Sequence, residues 1–125
     1  MESTNCYKIL LEFSDNIDKI RQKYMYFFSD HESLADISKI DTKVKEMGSA
    51  YSIIVADCIK KINSQLDSST TIEFVYYRSL IYNILKGNIT ILMSNILIDT
   101  NLVVRIDVDR YCDDLVYNNE ELIGI

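Results

Sequence analysis

The first half of the chain repeats apolar residues every three or four positions, which is the spacing of one face of an α-helix. Over residues 5–28 six apolar residues form this face, and charged residues lie between them. The six are Ile9, Phe13, Ile17, Ile20, Tyr24 and Phe27. A second series covers residues 33–66 with the spacing of a heptad-like seam. Gly48 lies in its middle, so the pattern predicts a long helix with a break near residue 48.

A third helical series covers residues 72–86 and has sequence signals at both ends. Thr70 and Glu73 match a capping box. Gly87 suits the position just after a helix end. The predicted inner face comprises Phe74, Tyr77, Leu80, Ile81 and Ile84. Because the three series are joined by polar segments, the sequence predicts an antiparallel helical hairpin or bundle.

After Gly87 the period of the pattern changes. Apolar and polar residues alternate over residues 102–109, which indicates a half-buried strand. Residues 115–117 and 122–123 flank a polar turn and predict a hairpin, whereas residues 89–98 fit either a strand or a short buried helix. The predicted fold is therefore mainly α (α+β): a single domain over residues 1–125. Residues 1–87 form its helical part and residues 88–125 an acidic tail with a small β-hairpin or meander.

Length and charge restrict the kinds of partner. The chain has 125 residues, the size of one domain, and a net charge of −6. Residues 88–125 carry seven acidic and two basic side chains. This balance argues against nucleic acid, which requires clustered Lys and Arg. The N-terminus predicts no signal peptide, and the most apolar stretch is about half a membrane span. We therefore expect no membrane insertion and a cytoplasmic or nuclear protein.

Candidate chemistry in the sequence is sparse, and we predict no catalytic, cofactor-binding or metal-binding residue. The three cysteines form no CxxC pair, and the lone His31 does not complete a zinc set with them. We expect buried, free thiols. The densest carboxylate group lacks the glycine and glutamate of a calcium loop, so its members read as solvated charges or as a patch for a basic partner. This group comprises Asp107, Asp109, Asp113 and Asp114.

Two aromatic clusters, over residues 24–28 and 74–77, have two interpretations. They belong to the core that packs the first helix against the third, or they form exposed anchors for a partner, since Tyr, Phe and Met are enriched at interfaces. The predicted interaction surface comprises Tyr24, Met25, Tyr26, Phe28, Tyr51, Tyr76 and Tyr77. With residues 34–66, it predicts a non-enzymatic adaptor or assembly subunit that forms homo- or hetero-oligomers with protein partners.

Two other functions are open at this point. The 19 Ile and absence of Pro indicate AT-rich codons, as in large DNA viruses. In length and in this bias the chain is similar to the Bcl-2-like proteins of poxviruses. That resemblance implies a compact all-α regulator holding a partner helix in a groove, although the alternation over residues 102–109 argues against it. The second alternative is a small metal-dependent enzyme using Asp107, Asp109, His31 or Cys58.

Overall fold

A computed structural model describes residues 3–28, 37–66, 71–99 and 108–117. These residues form four α-helices. They are α1 (Ser3–Phe28), α2 (Ile37–Gln65), α3 (Thr71–Asp99) and α4 (Val108–Val116). Within these ranges there is no strand. The predicted helical bundle is confirmed, and the predicted α+β class with a β-rich tail is wrong.

Helices α1 and α2 run antiparallel. Asn5 Nδ2 donates a hydrogen bond to Gln65 Oε1 (3.3 Å) at one end. At the other end Lys23 Nζ lies 3.7 Å from Glu46 Oε1. These exposed contacts contribute little, and the pair is held mainly by burial of the two apolar seams predicted from the sequence. The buried residues are Cys6, Leu10, Phe13, Ile17 and Tyr24 in α1, and Met47, Tyr51, Val55, Cys58, Ile59 and Ile62 in α2.

Helix α3 runs parallel to α1 and antiparallel to α2. Its buried residues continue at helical spacing past Gly87, so the prediction that this helix ends at residue 86 is wrong. They are Tyr77, Ile81, Leu85, Ile89, Leu92 and Met93. A glycine inside a helix costs about 1 kcal/mol relative to alanine. Burial of Ile89 and Leu92 contributes about 1.5–3 kcal/mol each, which outweighs that cost and keeps the segment helical.

Helix α4 packs antiparallel on α3 and is held at both ends. Arg78 donates two hydrogen bonds to the carbonyl oxygen of Val116, from Nε (3.0 Å) and Nη2 (2.7 Å). The guanidinium therefore satisfies a carbonyl at the C-terminus of α4, where a positive charge is also favoured by the helix dipole. At the opposite end Lys86 Nζ lies 2.7 Å from Asp109 Oδ1. Between these contacts Cys112, like Val116, is fully buried.

The strand and hairpin predicted in the tail are wrong where the structure describes them. Val108 and Asp109 begin α4, and residues 115–116 end it. The spacing of Val108, Cys112 and Leu115 is helical, and these three residues pack on the core. Residues 102–107 and 118–123 lie outside the described residues.

Helix α2 passes through Gly48 without interruption, so the predicted break is wrong. A side chain at this position would meet α4, because a Cβ built on Gly48 lies 3.2 Å from Tyr111 Oη. That hydroxyl and the hydroxyl of Tyr51 are buried without a hydrogen-bond partner in the described part of the chain. A buried hydroxyl without a partner costs about 1–3 kcal/mol.

The two glycines provide a matched test of this packing. We expect Gly87→Ala to raise the free energy of unfolding of a single copy by about 1 kcal/mol, because Gly87 is exposed and nothing in the same chain lies within 4 Å of the added Cβ. Gly48→Ala should give little or no gain, because Tyr111 Oη must move. In a Tyr111→Phe background Gly48→Ala should recover a gain of about 1 kcal/mol. Urea unfolding followed by circular dichroism measures all four variants. An equal effect of Gly48→Ala in both backgrounds would contradict the assigned role of Tyr111.

Candidate interaction surface

An open groove of about 470 Å³ lies between the parallel helices α1 and α3. Its lining contains no charged side chain. The lining residues are Tyr7, Leu10, Leu11 and Ser14 of α1, and Leu80 and Ile84 of α3. Leu11 is 68% exposed, although a leucine is usually buried. A concave apolar surface of this kind is typical of a binding site.

Tyr7, which lines one end of the groove, belongs to a cluster of three tyrosines. The hydroxyls of Tyr7 and Tyr76 are hydrogen-bonded at 3.1 Å. The buried ring of Tyr77 meets both rings edge to face, with centroids 5.9 Å from Tyr7 and 5.2 Å from Tyr76. Hydrogen bonding with Tyr76, together with burial, raises the pKa of Tyr7. Edge-to-face pairs contribute about 0.5–1.5 kcal/mol each. The rings are thus positioned before any partner arrives, which lowers the entropy cost of binding.

A polar network lies further along the same pair of helices. Arg21 Nε donates a hydrogen bond to Asn88 Oδ1 (2.9 Å), which links α1 to α3. The same guanidinium lies 3.5 Å from Asp18 Oδ1 and 3.8 Å from Met25 Sδ. The boundary between α1 and α3 is therefore apolar near Tyr7 and polar near Arg21.

The exposed side of α3 carries no charge between Glu73 and Ser94, the last residue of this helix whose side chain the structure describes. From residue 75 to residue 94 its exposed positions are Val75, Tyr76, Ser79, Asn83, Gly87, Thr90, Ile91 and Ser94. The basic residues in this span, Arg78 and Lys86, turn toward α4. Exposed positions of the other described helices carry several charges each. Examples are Lys8, Glu12 and Asp15 in α1, Lys45, Asp57 and Lys60 in α2, and Asp109, Asp113 and Asp114 in α4. A solvated helix face is ordinarily charged, so the side of α3 is unusual.

We define the α1–α3 face as the groove together with the adjoining exposed positions of α3. Those positions are Tyr76, Ser79, Asn83, Gly87, Thr90, Ile91 and Ser94, which follow one another at helical spacing. Within the described residues no other helix covers the groove, since α4 contacts α3 and α2 but not α1. The α1–α3 face is the strongest candidate for an interaction surface.

The aromatic residues predicted to form the interaction surface do not lie together. Tyr24, Tyr51 and Tyr77 are buried, and Met25 is half-buried. Tyr26 is 82% exposed and Tyr76 is 49% exposed. Phe28 is the last residue of α1, and its side chain lies outside what the structure describes. Of the six predicted residues whose side chains the structure describes, only Tyr76 belongs to the α1–α3 face.

The direction of the helices explains this separation. Tyr7 and Tyr24 are about 25 Å apart along α1. Because α1 and α3 are parallel, Tyr77 lies beside Tyr7. The two aromatic clusters are consequently at opposite ends of the bundle. Each contributes a buried residue, Tyr24 or Tyr77, to the hydrophobic core. The described part of the 34–66 seam is similarly used inside the molecule, where Tyr51 and Ile62 are buried.

The residues considered for catalysis are not assembled into a site. All three cysteines are buried, and burial raises the pKa of Cys58 and of Cys112 to about 12, so both are neutral thiols near pH 7. Among the described residues no three His, Cys, Asp or Glu side chains are grouped to hold a metal ion. His31 and Asp107 lie outside the described residues. Within the described ranges no helix is long and apolar enough to cross a membrane.

Comparisons with protein-family models, curated proteins and solved structures found no match to this chain. A functional proposal therefore depends on the surface of the molecule itself.

Buried tyrosines cause the free energy of unfolding to decrease at alkaline pH. Burial raises the pKa of Tyr77 and of Tyr111 to about 12, and it also raises the pKa of Tyr51. The unfolded-state pKa of tyrosine is about 10. Their contribution is therefore complete below pH 10 and is lost as the pH rises toward 12 and beyond. We expect the free energy of unfolding to fall steeply across this interval and less steeply in Tyr111→Phe. Urea unfolding at a series of pH values measures both slopes; identical slopes would contradict the assignment.

Proposed function

We propose that this chain is a non-enzymatic interaction or assembly subunit that binds a partner protein through the α1–α3 face. The observation that carries the proposal is the apolar groove, which continues into an exposed helix side without charge. The interior of a protein interface is depleted of charged residues and enriched in aromatic ones, and Tyr7 and Tyr76 provide such residues at the groove. Exposed apolar surface of this extent commonly marks a site of protein association.

Other kinds of ligand fit this face less well. Nucleic acid requires Lys and Arg beside the phosphates, and neither the groove lining nor the adjoining positions contain one. A small molecule is usually enclosed by its pocket and oriented by several polar groups. Here the groove is open along one side, and Ser14 and Tyr7 supply the only hydroxyls of its lining. A long partner surface matches the shape and chemistry better.

A helix of a partner protein is a second candidate occupant, because a groove between two helices suits an amphipathic helix with apolar anchors. This is the binding mode expected of a Bcl-2-like regulator. Residues 108 and 109, the described end of the 102–109 alternation, belong to a helix, which favours that alternative. The regulator itself stays a prediction, as does the metal-dependent enzyme.

A site-specific photo-crosslinker tests the proposal in cells that produce the protein. Benzoylphenylalanine replaces Leu11 in the groove, and in a matched variant it replaces Ile53 on the outer side of α2. Ile53 is 62% exposed, close to the 68% of Leu11, so the two positions differ chiefly in location. We expect irradiation to give protein adducts of discrete mass from position 11 and none above background from position 53.

The adducts are resolved by denaturing electrophoresis and identified by mass spectrometry. The mass distinguishes an adduct between two copies of this chain from one with another protein. Absence of a position-11 adduct, or equal labelling from both positions, would contradict a binding role for the α1–α3 face. Matching circular dichroism spectra of the two variants ensure that the comparison concerns the surface and not the fold.

A further inference from the structure

We infer that the partner on the α1–α3 face is a second copy of this chain, related by a two-fold axis with the two α3 helices antiparallel. This inference rests on the proposed function, because it names the occupant of the same face. Three independent properties of the face support it: its charge, the distribution of its large and small residues, and its area.

Charge favours a copy over a basic partner. Near a two-fold axis each side chain meets its own counterpart, so an exposed charge there would repel itself. The chain has a net charge of −6, yet the α3 positions that belong to the face carry no charge. Lys86, whose side chain is 45% exposed, pairs with Asp109 of α4. On α1 the neighbouring Asp18 and Arg21 pair with each other at 3.5 Å. Lys8 and Asp15, one turn before and after Leu11, have opposite signs.

The acidic surface that would attract a basic protein lies elsewhere. Asp109, Asp113 and Asp114 are exposed on α4, which packs on a different side of α3. A basic partner would be steered to α4 and away from the groove. The uncharged α1–α3 face is electrostatically matched by another uncharged surface, such as the same face of a second copy.

The distribution of side-chain sizes is self-complementary. Leu11 of α1 and Tyr76 lie beside the start of α3, whereas three of the four exposed residues of the face toward its end are small. These three are Gly87, Thr90 and Ser94, and the fourth is Ile91. An antiparallel pairing symmetric about Asn83 sets Tyr76 opposite Thr90 and Ser79 opposite Gly87. The large end of each copy then lies against the small end of the other, and Gly87 allows the backbones a close approach.

The area of the face is sufficient for a specific dimer. Residues 76–94 of α3 extend about 27 Å, and two adjacent helices are about 20 Å wide. The face thus offers about 540 Å² per copy, or about 1,080 Å² in a dimer, which is just above the threshold of about 1,000 Å² for a biological interface. We therefore expect a reversible dimer whose population rises with protein concentration.

Sedimentation equilibrium of the purified full chain tests the dimer. We expect the average mass to rise with concentration from the 14.5 kDa of one chain toward twice that value. Asn83→Glu and Asn83→Lys each bring like charges together across the axis and should weaken dimerisation at least about tenfold. Both substitutions introduce better helix formers than asparagine, so the fold should be retained. An equimolar mixture of the two variants should recover the dimer, since opposite charges then meet.

Ile53→Glu is the matched control, because it adds one exposed charge to α2 and should leave the dimer unchanged. Wild-type protein that stays a monomer at every concentration would overturn the inference. So would a mixture of the two Asn83 variants that does not dimerise, or equal weakening by Ile53→Glu. Binding of monomeric protein to phosphatidylcholine vesicles that is lost in Asn83→Glu would also overturn it, by assigning the face to lipid.

The two proposals fail in distinguishable ways. If the purified chain is monomeric while the crosslinker at position 11 captures a different protein, the second copy is wrong and the interaction subunit stands. If position 11 captures nothing in cells and the purified chain is monomeric, both proposals are wrong. An adduct between two copies at position 11, with recovery of the dimer in the Asn83 mixture, supports both.

Discussion

The arrangement of this bundle depends on covering α3. Its apolar residues face several directions, so a single neighbouring helix does not remove them all from water. Helices α1 and α2 together cover the side that carries Ile81 and Leu85, and α4 covers the side that carries Arg78 and Tyr82. The third side is the α1–α3 face. The fold and the candidate site therefore follow from one requirement, that the apolar residues of α3 be covered from water. The described helices cover two sides of α3 and leave the third side uncovered.

The position of α4 shows how the second side is covered. Nine residues make a helix too short to be stable alone, so α4 depends on its contacts. Arg78 satisfies the Val116 carbonyl and also lies over the rings of Phe74 and Tyr117, at 5.6 and 5.1 Å from their centroids. Close packing of Tyr111 against Gly48 removes apolar surface from water but leaves a buried hydroxyl without a partner among the described residues. Burial of the Tyr111 ring thus stabilises α4, whereas its hydroxyl without a hydrogen-bond partner destabilises it. The contacts at the two ends of α4 help to offset that cost.

The same geometry separates what the sequence could predict from what it could not. Helices α1 and α2 were predictable because each buries one stripe, and one stripe gives a clear period. Because apolar residues lie on several sides of α3, the helical periodicity of the sequence is unclear after Gly87. Residues 89–98 therefore fit a strand as well as a helix. Helix α4 was missed because the β-branched alternation before it ended in Val108, the first residue of the helix. The predicted antiparallel connections imply that α1 and α3 are parallel, which places residues 24–28 and 74–77 at opposite ends of the bundle. Which sides of these two helices face solvent depends on tertiary contacts such as Arg21–Asn88, so the exposed surface could not be predicted.

One signal for the candidate site was nevertheless present in the sequence. Between Glu73 and Asp99 the only charged residues are Arg78 and Lys86, which are eight positions apart and so within about 80° of each other around a helix. This helix has its charges on one side and uncharged residues such as Asn83 and Gly87 on another. The uncharged side lacks the charged residues that a solvent-exposed helix face ordinarily carries. Small uncharged residues keep a monomer from exposing a long stripe of large apolar side chains, which would promote aggregation. Small uncharged side chains also lower the desolvation cost of binding another surface. The composition of this face thus suits a chain that folds alone and then associates.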